Sequence, residues 1–187
     1  MTRRRFADWK SVLGGMAVML AFSILTEMQI ACAQQSVAKV DWSAWKFLIG
    51  EWVGEGTGKP GEGIGGFSLL PDLQNAVLVR KNYAEYPATK DRAAFRHDDL
   101  MIIYNEDGRT KAVYFDNEKR VIHYTVQFAS DSSSIVFVGD ITPNSPRFRF
   151  AYTGVNDGTL KIMFETAPPG KPEAFTRYIE GTAHRKK

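Results

Sequence analysis

The sequence predicts an all-β domain, an antiparallel meander or closed barrel of about ten strands joined by short links. Apolar and polar residues alternate with a period of two, as in Phe148, Phe150 and Tyr152 against Arg147, Arg149 and Thr153. Turn-forming clusters such as Asn105-Glu106-Asp107-Gly108 and Asn156-Asp157-Gly158 cut the chain at short intervals. No stretch of helical length keeps a 3.6-residue apolar period after the opening segment. Closure into a barrel is expected because an open sheet of that size would leave two long edges free to pair with other chains.

The elements follow in order. Arg3, Arg4 and Arg5, the apolar run Val12 to Leu25, and Ala31, Cys32 and Ala33 have the charged, apolar and small-residue layout of an export signal, residues 1–33. The run holds 14 residues, including Gly14, Gly15 and Ser23. A helix crossing the bilayer needs about 20 mainly apolar residues, so removal is expected rather than anchoring. Lipidation at Cys32 is the disfavoured alternative, because Gln29 stands where an aliphatic residue is expected. Cleavage after Ala33 leaves 154 residues with no cysteine, so packing alone must stabilise the exported chain in the periplasm or outside the cell.

Residues 34–40 read as a flexible leader, and 41–187 as one barrel domain. Asp41 caps a short helical turn that sets Trp42, Trp45 and Leu48 near one face. Strands are expected at about Gly50 to Gly58, Gly65 to Leu69, Ala76 to Tyr86, Asp98 to Asn105 and Lys111 to Asp116. The remaining five run from Val121 to Ala129, Ser134 to Asp140, Arg147 to Thr153, Leu160 to Ala167 and Phe175 to Ala183.

Charge excludes one class of partner. The full chain carries +3, but without Arg3, Arg4, Arg5, Lys10, Asp8 and Glu27 there remain 20 basic and 19 acidic residues. No basic run interleaved with aromatics follows, so nucleic acid is not expected as a partner. The glycines from Gly54 to Gly66 lack the Lys-Ser/Thr of a phosphate loop, and no serine sits in a Gly-x-Ser-x-Gly elbow.

Phe47-Leu48-Ile49-Gly50-Glu51-Trp52-Val53-Gly54-Glu55-Gly56 resembles the Gly-x-Trp opening strand of calycin (lipocalin-like) barrels, and locally that of nitrobindin-like haem-binding barrels. With Tyr83-Ala84-Glu85-Tyr86-Pro87, His97-Asp98-Asp99-Leu100-Met101 and Tyr114-Phe115-Asp116-Asn117-Glu118, the chain also looks like a family of uncharacterised exported bacterial proteins. The resemblance implies a calycin-like barrel with Trp52 plugging one end beneath the short N-terminal helix, the other end being open. In nitrobindin-like proteins a histidine near the last strands binds haem iron. The nearest counterpart is His184, which does not match that motif, and no cofactor is expected.

Three functions follow from these readings. The favoured one is non-catalytic binding or carriage of a small, partly apolar molecule in the cell envelope, with Arg80, Tyr83, Tyr114 and Glu55 orienting the guest. Arg149 is a further orienting residue if its strand turns the other way. Glu51 and Glu55 share a parity and are expected to meet Arg80 or Arg149 inside the barrel. Tyr104 and Tyr124 are further hydroxyls of either cavity or core. The second function is a small enzyme using a His/Asp acid-base pair drawn from His97, Asp99, Asp116 and His123. Adjacent Asp98 and Asp99 must face opposite sides of a regular strand, which argues against a metal site. The third is a fully packed structural protein.

Phe148, Phe150 and Tyr152 are expected to line the interior, leaving Arg147 and Arg149 solvated outside. A cavity larger than roughly 300 Å³ separates the first two functions from the third.

Overall fold

The computed structural model describes residues 40–55 and 63–187. The export signal, Cys32 and the leader up to residue 39 lie outside the described residues. The chain forms β1 (Gly50–Glu55), β2 (Ile64–Asp72), β3 (Val77–Tyr86), β4 (Phe95–Glu106) and β5 (Arg109–Asp116). It continues through β6 (Val121–Phe128), β7 (Ser134–Gly139), β8 (Arg147–Asn156), β9 (Thr159–Ala167) and β10 (Thr176–Arg185). Each strand pairs antiparallel with the next, and β10 returns to β1, giving a closed ten-stranded barrel consistent with the calycin-like expectation. No helix among the described residues is long and apolar enough to cross a membrane.

All ten expected strands are present, with some ends displaced. β4 begins at Phe95 rather than Asp98, because Phe95, Arg96 and His97 continue the ladder opposite Tyr86, Glu85 and Ala84. β8 runs past Thr153 to Asn156, where a tight turn through Gly158, at φ +100°, leads straight into β9. Those turn residues have the chemistry the sequence shows, but the ladder extends to the very edge of the turn.

The short helix reduces to one 3-10 turn, Ser43–Trp45, with Asp41 Oδ1 accepting from the Ser43 amide at 2.9 Å. It seats Trp45 against Phe137 and Phe128, at ring separations of 6.0 and 5.6 Å. Trp52 is buried and stacks on Phe67 at 6.1 Å, and its indole donates to the Leu48 carbonyl at 2.8 Å. A buried indole N–H needs such a partner, and the 3-10 turn delivers it. Trp52 is thus the plug of one end.

Arg185 locks this plug from the last strand. Its guanidinium lies 4.4 Å from the Trp52 ring and donates to the carbonyls of Ile49 and Phe47 at 2.7 and 3.0 Å. Gly50 adopts φ +140°, a backbone conformation that L side chains rarely take, and a Cβ there would also displace the Arg185 guanidinium.

Parity around the barrel sends Phe150 and Tyr152 inward and Arg147 and Arg149 outward, the expected arrangement. The arginines are not simply solvated, however. Arg149 donates twice to its ladder partner Glu165, at 2.5 and 2.9 Å, and lies 4.2 Å from the Phe175 ring. Arg147 pairs with Glu173. The segment between β9 and β10 folds over both, a contact that strand alternation does not encode.

Candidate functional site

β3 turns Leu78, Arg80, Asn82, Ala84 and Tyr86 inward, and β4 does the same with His97, Asp99, Met101 and Ile103. The register sets Asn82 opposite Asp99 and Arg80 opposite Met101. On β5, Tyr114 lies opposite Met101 and Asp116 opposite Asp99. Period-two alternation on three adjacent strands therefore gathers the polar side chains into one patch of the inner wall. They border a cavity of about 550 Å³. Its walls include Phe67, Phe148, Phe150, Ile162 and Phe164, and its open end reaches the exposed residues Arg92, Phe95, Glu118 and Tyr178.

The charges in the patch are tightly ordered. Arg80 Nη1 donates to Asp99 Oδ1 at 2.5 Å, with both side chains almost wholly buried. Asn82 Nδ2 donates to Asp99 Oδ2 at 2.7 Å, and His97 Nε2 lies 3.4 Å from the same oxygen. Burial alone would raise the Asp99 pKa, but the Arg80 charge, with His97 and Asn82, holds it below the ordinary value. Burial disfavours the charged form of Arg80 too, and Asp99 overcomes this, so the guanidinium stays ionised. Phe67, Phe150 and Tyr152 surround it, with ring centroids 5.5, 5.3 and 6.0 Å from its central carbon. Its Nε and the Tyr152 hydroxyl are buried without hydrogen-bond partners among the described residues.

His97 links this floor to the mouth. Its Nδ1 is 3.0 Å from Glu118 Oε1, its Nε2 is 3.1 Å from the Tyr114 hydroxyl, and that hydroxyl donates to Asp116 Oδ2 at 3.2 Å. Every link is satisfied when both ring nitrogens carry protons, since Tyr114 has a single hydrogen and donates it to Asp116. Asp99 first, and then Glu118, raises the His97 pKa above its ordinary value despite desolvation. Burial raises the Tyr114 and Tyr124 pKa values, so both remain neutral donors.

His97, Asp116 and Glu118 bring ligand-type atoms within 4.8 Å of one another. Asp116 is already committed: its Oδ1 accepts from the amides of Glu118 and Arg120, and Arg120 Nε reaches its Oδ2 at 3.0 Å. Arg120 also pairs with Glu118. The guanidinium thus supplies the positive charge in this trio.

Of the residues singled out from sequence, Arg80, Tyr114, His97 and Asp99 converge on the cavity, and Asp116 stands just behind as the cap of the β5–β6 turn. Tyr83 does not converge. It has the opposite parity to Arg80, so it points outward beneath the Arg96 guanidinium, 5.0 Å from its ring. His123 is exposed on β6, opposite Val113, on the face opposite to Ile122 and Tyr124, and does not line the cavity. Glu55 borders the mouth, but its carboxylate takes His184 Nε2 at 2.8 Å rather than Arg80, and Glu51 takes Lys186. Trp52 faces inward, which forces both glutamates outward. Tyr104 lies outside the cavity lining, whereas Tyr124 belongs to it.

His184 pairs across to Val53 on the outer face, with Thr159 near its other nitrogen at 3.4 Å, and so does not fit a haem ligated through that residue. Sequence reasoning missed Asn82 and Glu118. Asn82 was accessible from its parity with Arg80, whereas Glu118 lies in a turn whose direction no alternation sets. No protein-family model matches the chain, and no curated protein matches it.

Proposed function

We propose that the barrel binds and carries a small, partly apolar molecule in the cell envelope without transforming it. The supporting observation is the cavity of about 550 Å³. It falls within the ~300–1,000 Å³ typical of small-molecule sites, and its apolar walls surround a few convergent polar groups. A fully packed structural barrel has no use for such a space, which forfeits the dispersion contacts its lining would otherwise make. The export signal read from the leading residues supports an envelope location.

Acid-base catalysis is the second reading, favoured by His97 Nε2 lying 3.4 Å from Asp99 Oδ2. Against it stands the occupation of both ring nitrogens, by Glu118 on one side and by Tyr114 and Asp99 on the other. A general base needs a free nitrogen within reach of its substrate.

Native mass spectrometry of the protein purified from envelope fractions tests carriage. One small molecule per chain, released by organic solvent and lost or much reduced in Ile162→Trp, in which a bulkier side chain intrudes on the cavity, is the expected result. A protein that never carries a guest and has the same melting temperature with or without envelope extract argues against carriage.

A further inference from the structure

We propose that the guest is an uncharged, ring-bearing molecule whose polar end is a hydroxyl, carbonyl or amide, and that the cavity rejects ionised molecules; this rests on the carriage reading above.

The first ground is that the cavity's charges are already matched. Among the lining residues, Arg80, Arg92, Arg120 and His97 oppose Glu55, Asp99, Glu118 and Glu180, and the count balances when His97 holds its proton. Each lining carboxylate also has a specific partner. Asp99 has Arg80, Glu118 has Arg120 and His97, Glu55 has His184, and Glu180 has Lys161 and Arg177. Arg92, at the exposed rim, stands 5.4 Å from the Tyr86 ring.

An ionised guest would either sit in the apolar space without a counter-charge or break one of these pairs. At the floor, where Arg80 and Asp99 are almost wholly buried, either course leaves an uncompensated buried charge. Arg80 is the one deep cation among the described residues lining the cavity, and it is enclosed. Asp99 takes its Nη1, its Nε is buried, and three aromatic rings crowd it. With Nη1 given to Asp99 and Nε buried, a carboxylate or sulfate entering here would have to compete with Asp99 for the guanidinium, whereas a neutral carbonyl can take a single donor without displacing it.

The second ground is the set of groups that remain available. The Tyr124 hydroxyl, on the cavity lining, makes no hydrogen bond to a described residue. Asn82 gives its Nδ2 to Asp99, and its amide oxygen makes no hydrogen bond to a described residue. One donor-acceptor and one acceptor, both neutral, suit a neutral polar end. The walls supply the complement for a ring: Phe148 and Phe164 are stacked 5.7 Å apart and within 15° of parallel, with Phe150 set edgewise to Phe164. Ions are thus rejected from the interior because the buried charges there, Arg80 and Asp99, already hold one another, while the aromatic surface supplies the attraction.

The test uses two fluorescent probes with the same ring body, neutral N-phenyl-1-naphthylamine and its anionic 8-sulfonate. The purified protein is expected to bind the neutral probe about tenfold or more tightly than the sulfonate, and Ile162→Trp is expected to abolish or much reduce the binding. Removing one compensating negative charge, by Asp99→Asn or at the mouth by Glu118→Gln, should shift the ratio of neutral to sulfonate affinity severalfold toward the sulfonate. The Glu118 variant, at an exposed position, serves where the Asp99 variant does not fold. Equal or tighter sulfonate binding by the unaltered protein, lost or much reduced in Ile162→Trp, overturns the neutral-guest inference while leaving carriage intact. Binding of neither probe, with no guest found by mass spectrometry, overturns carriage itself.

Discussion

Arg80 and Asp99 are diagonal neighbours across the β3–β4 ladder and meet at 2.5 Å inside the barrel wall, with almost no exposure of either side chain. Their dependence is mutual. The Asp99 charge keeps Arg80 ionised despite burial, and the Arg80 charge keeps Asp99 ionised in the same surroundings.

Removing one member of this pair should therefore cost more than removing both. Asp99→Ala leaves a buried guanidinium without its counter-charge, a loss of about 3–5 kcal/mol in comparable sites. The double variant Arg80→Met, Asp99→Ala should recover part of that loss. Urea unfolding of the two variants and the parent checks the order; a double variant less stable than Asp99→Ala alone would refute mutual compensation.

The His97 network predicts a definite pH dependence. Its folded-state pKa lies above the ordinary 6.5. Protonation therefore stabilises the fold, fully so below about pH 6.5 and progressively less as pH rises through the raised folded-state value. Melting temperatures measured from pH 5.5 to 9 should fall with rising pH in the parent relative to His97→Gln. A difference between the two that is flat, or that grows with pH, contradicts the doubly protonated ring.

Trp52→Ala should destabilise the barrel by about 3–5 kcal/mol, the usual cost of emptying the site of a large buried aromatic. The effect should fall on stability rather than on guest affinity, since Trp52 seals the end away from the mouth. A variant that keeps its melting temperature and loses the neutral probe would make Trp52 a binding residue.

Arg149→Ala and Arg80→Ala should separate the two faces of the barrel. Arg149 joins Glu165 on the outer face, where the glutamate is almost covered, so loss of the arginine costs stability by leaving that carboxylate without its partner. The same loss should leave probe binding unchanged. Arg80→Ala should weaken probe binding and stability together, because it frees Asp99 at the cavity floor. A large binding loss from Arg149→Ala would place that residue on the wrong side of the sheet.

The strands were legible because a half-buried strand writes its period of two directly into the sequence, and Phe148, Phe150 and Tyr152 set the inward face of β8 in that way. The same rule already contained the answers for Tyr83 and His123. Tyr83 cannot share a face with Arg80, and His123 cannot share one with Ile122 and Tyr124. Glu51 and Glu55 were likewise fixed outside once Trp52 pointed inward. Other features were not legible. Register decides that Asn82 faces Asp99, and a turn decides that Glu118 meets His97. Local alternation carries neither piece of information. The cover that the β9–β10 segment lays over Arg147 and Arg149 depends on a loop path with no periodic signal.

Closure of β10 onto β1 also governs how the chain can reach its folded state. Glu55 and His184 join across 129 residues of sequence, as do Lys186 and Glu51 across 135. Neighbouring hairpins can form early from local turns, but the seam between the first strand and the last needs the whole polypeptide, and its loop-closure entropy is lost before any of its hydrogen bonds are gained. Until then both margins of the sheet are bare, and Trp52 lacks the Arg185 clamp on its outer side. A chain that stops short of β10 is therefore expected to leave both margins of the sheet unpaired, with barrel closure waiting on the last strand.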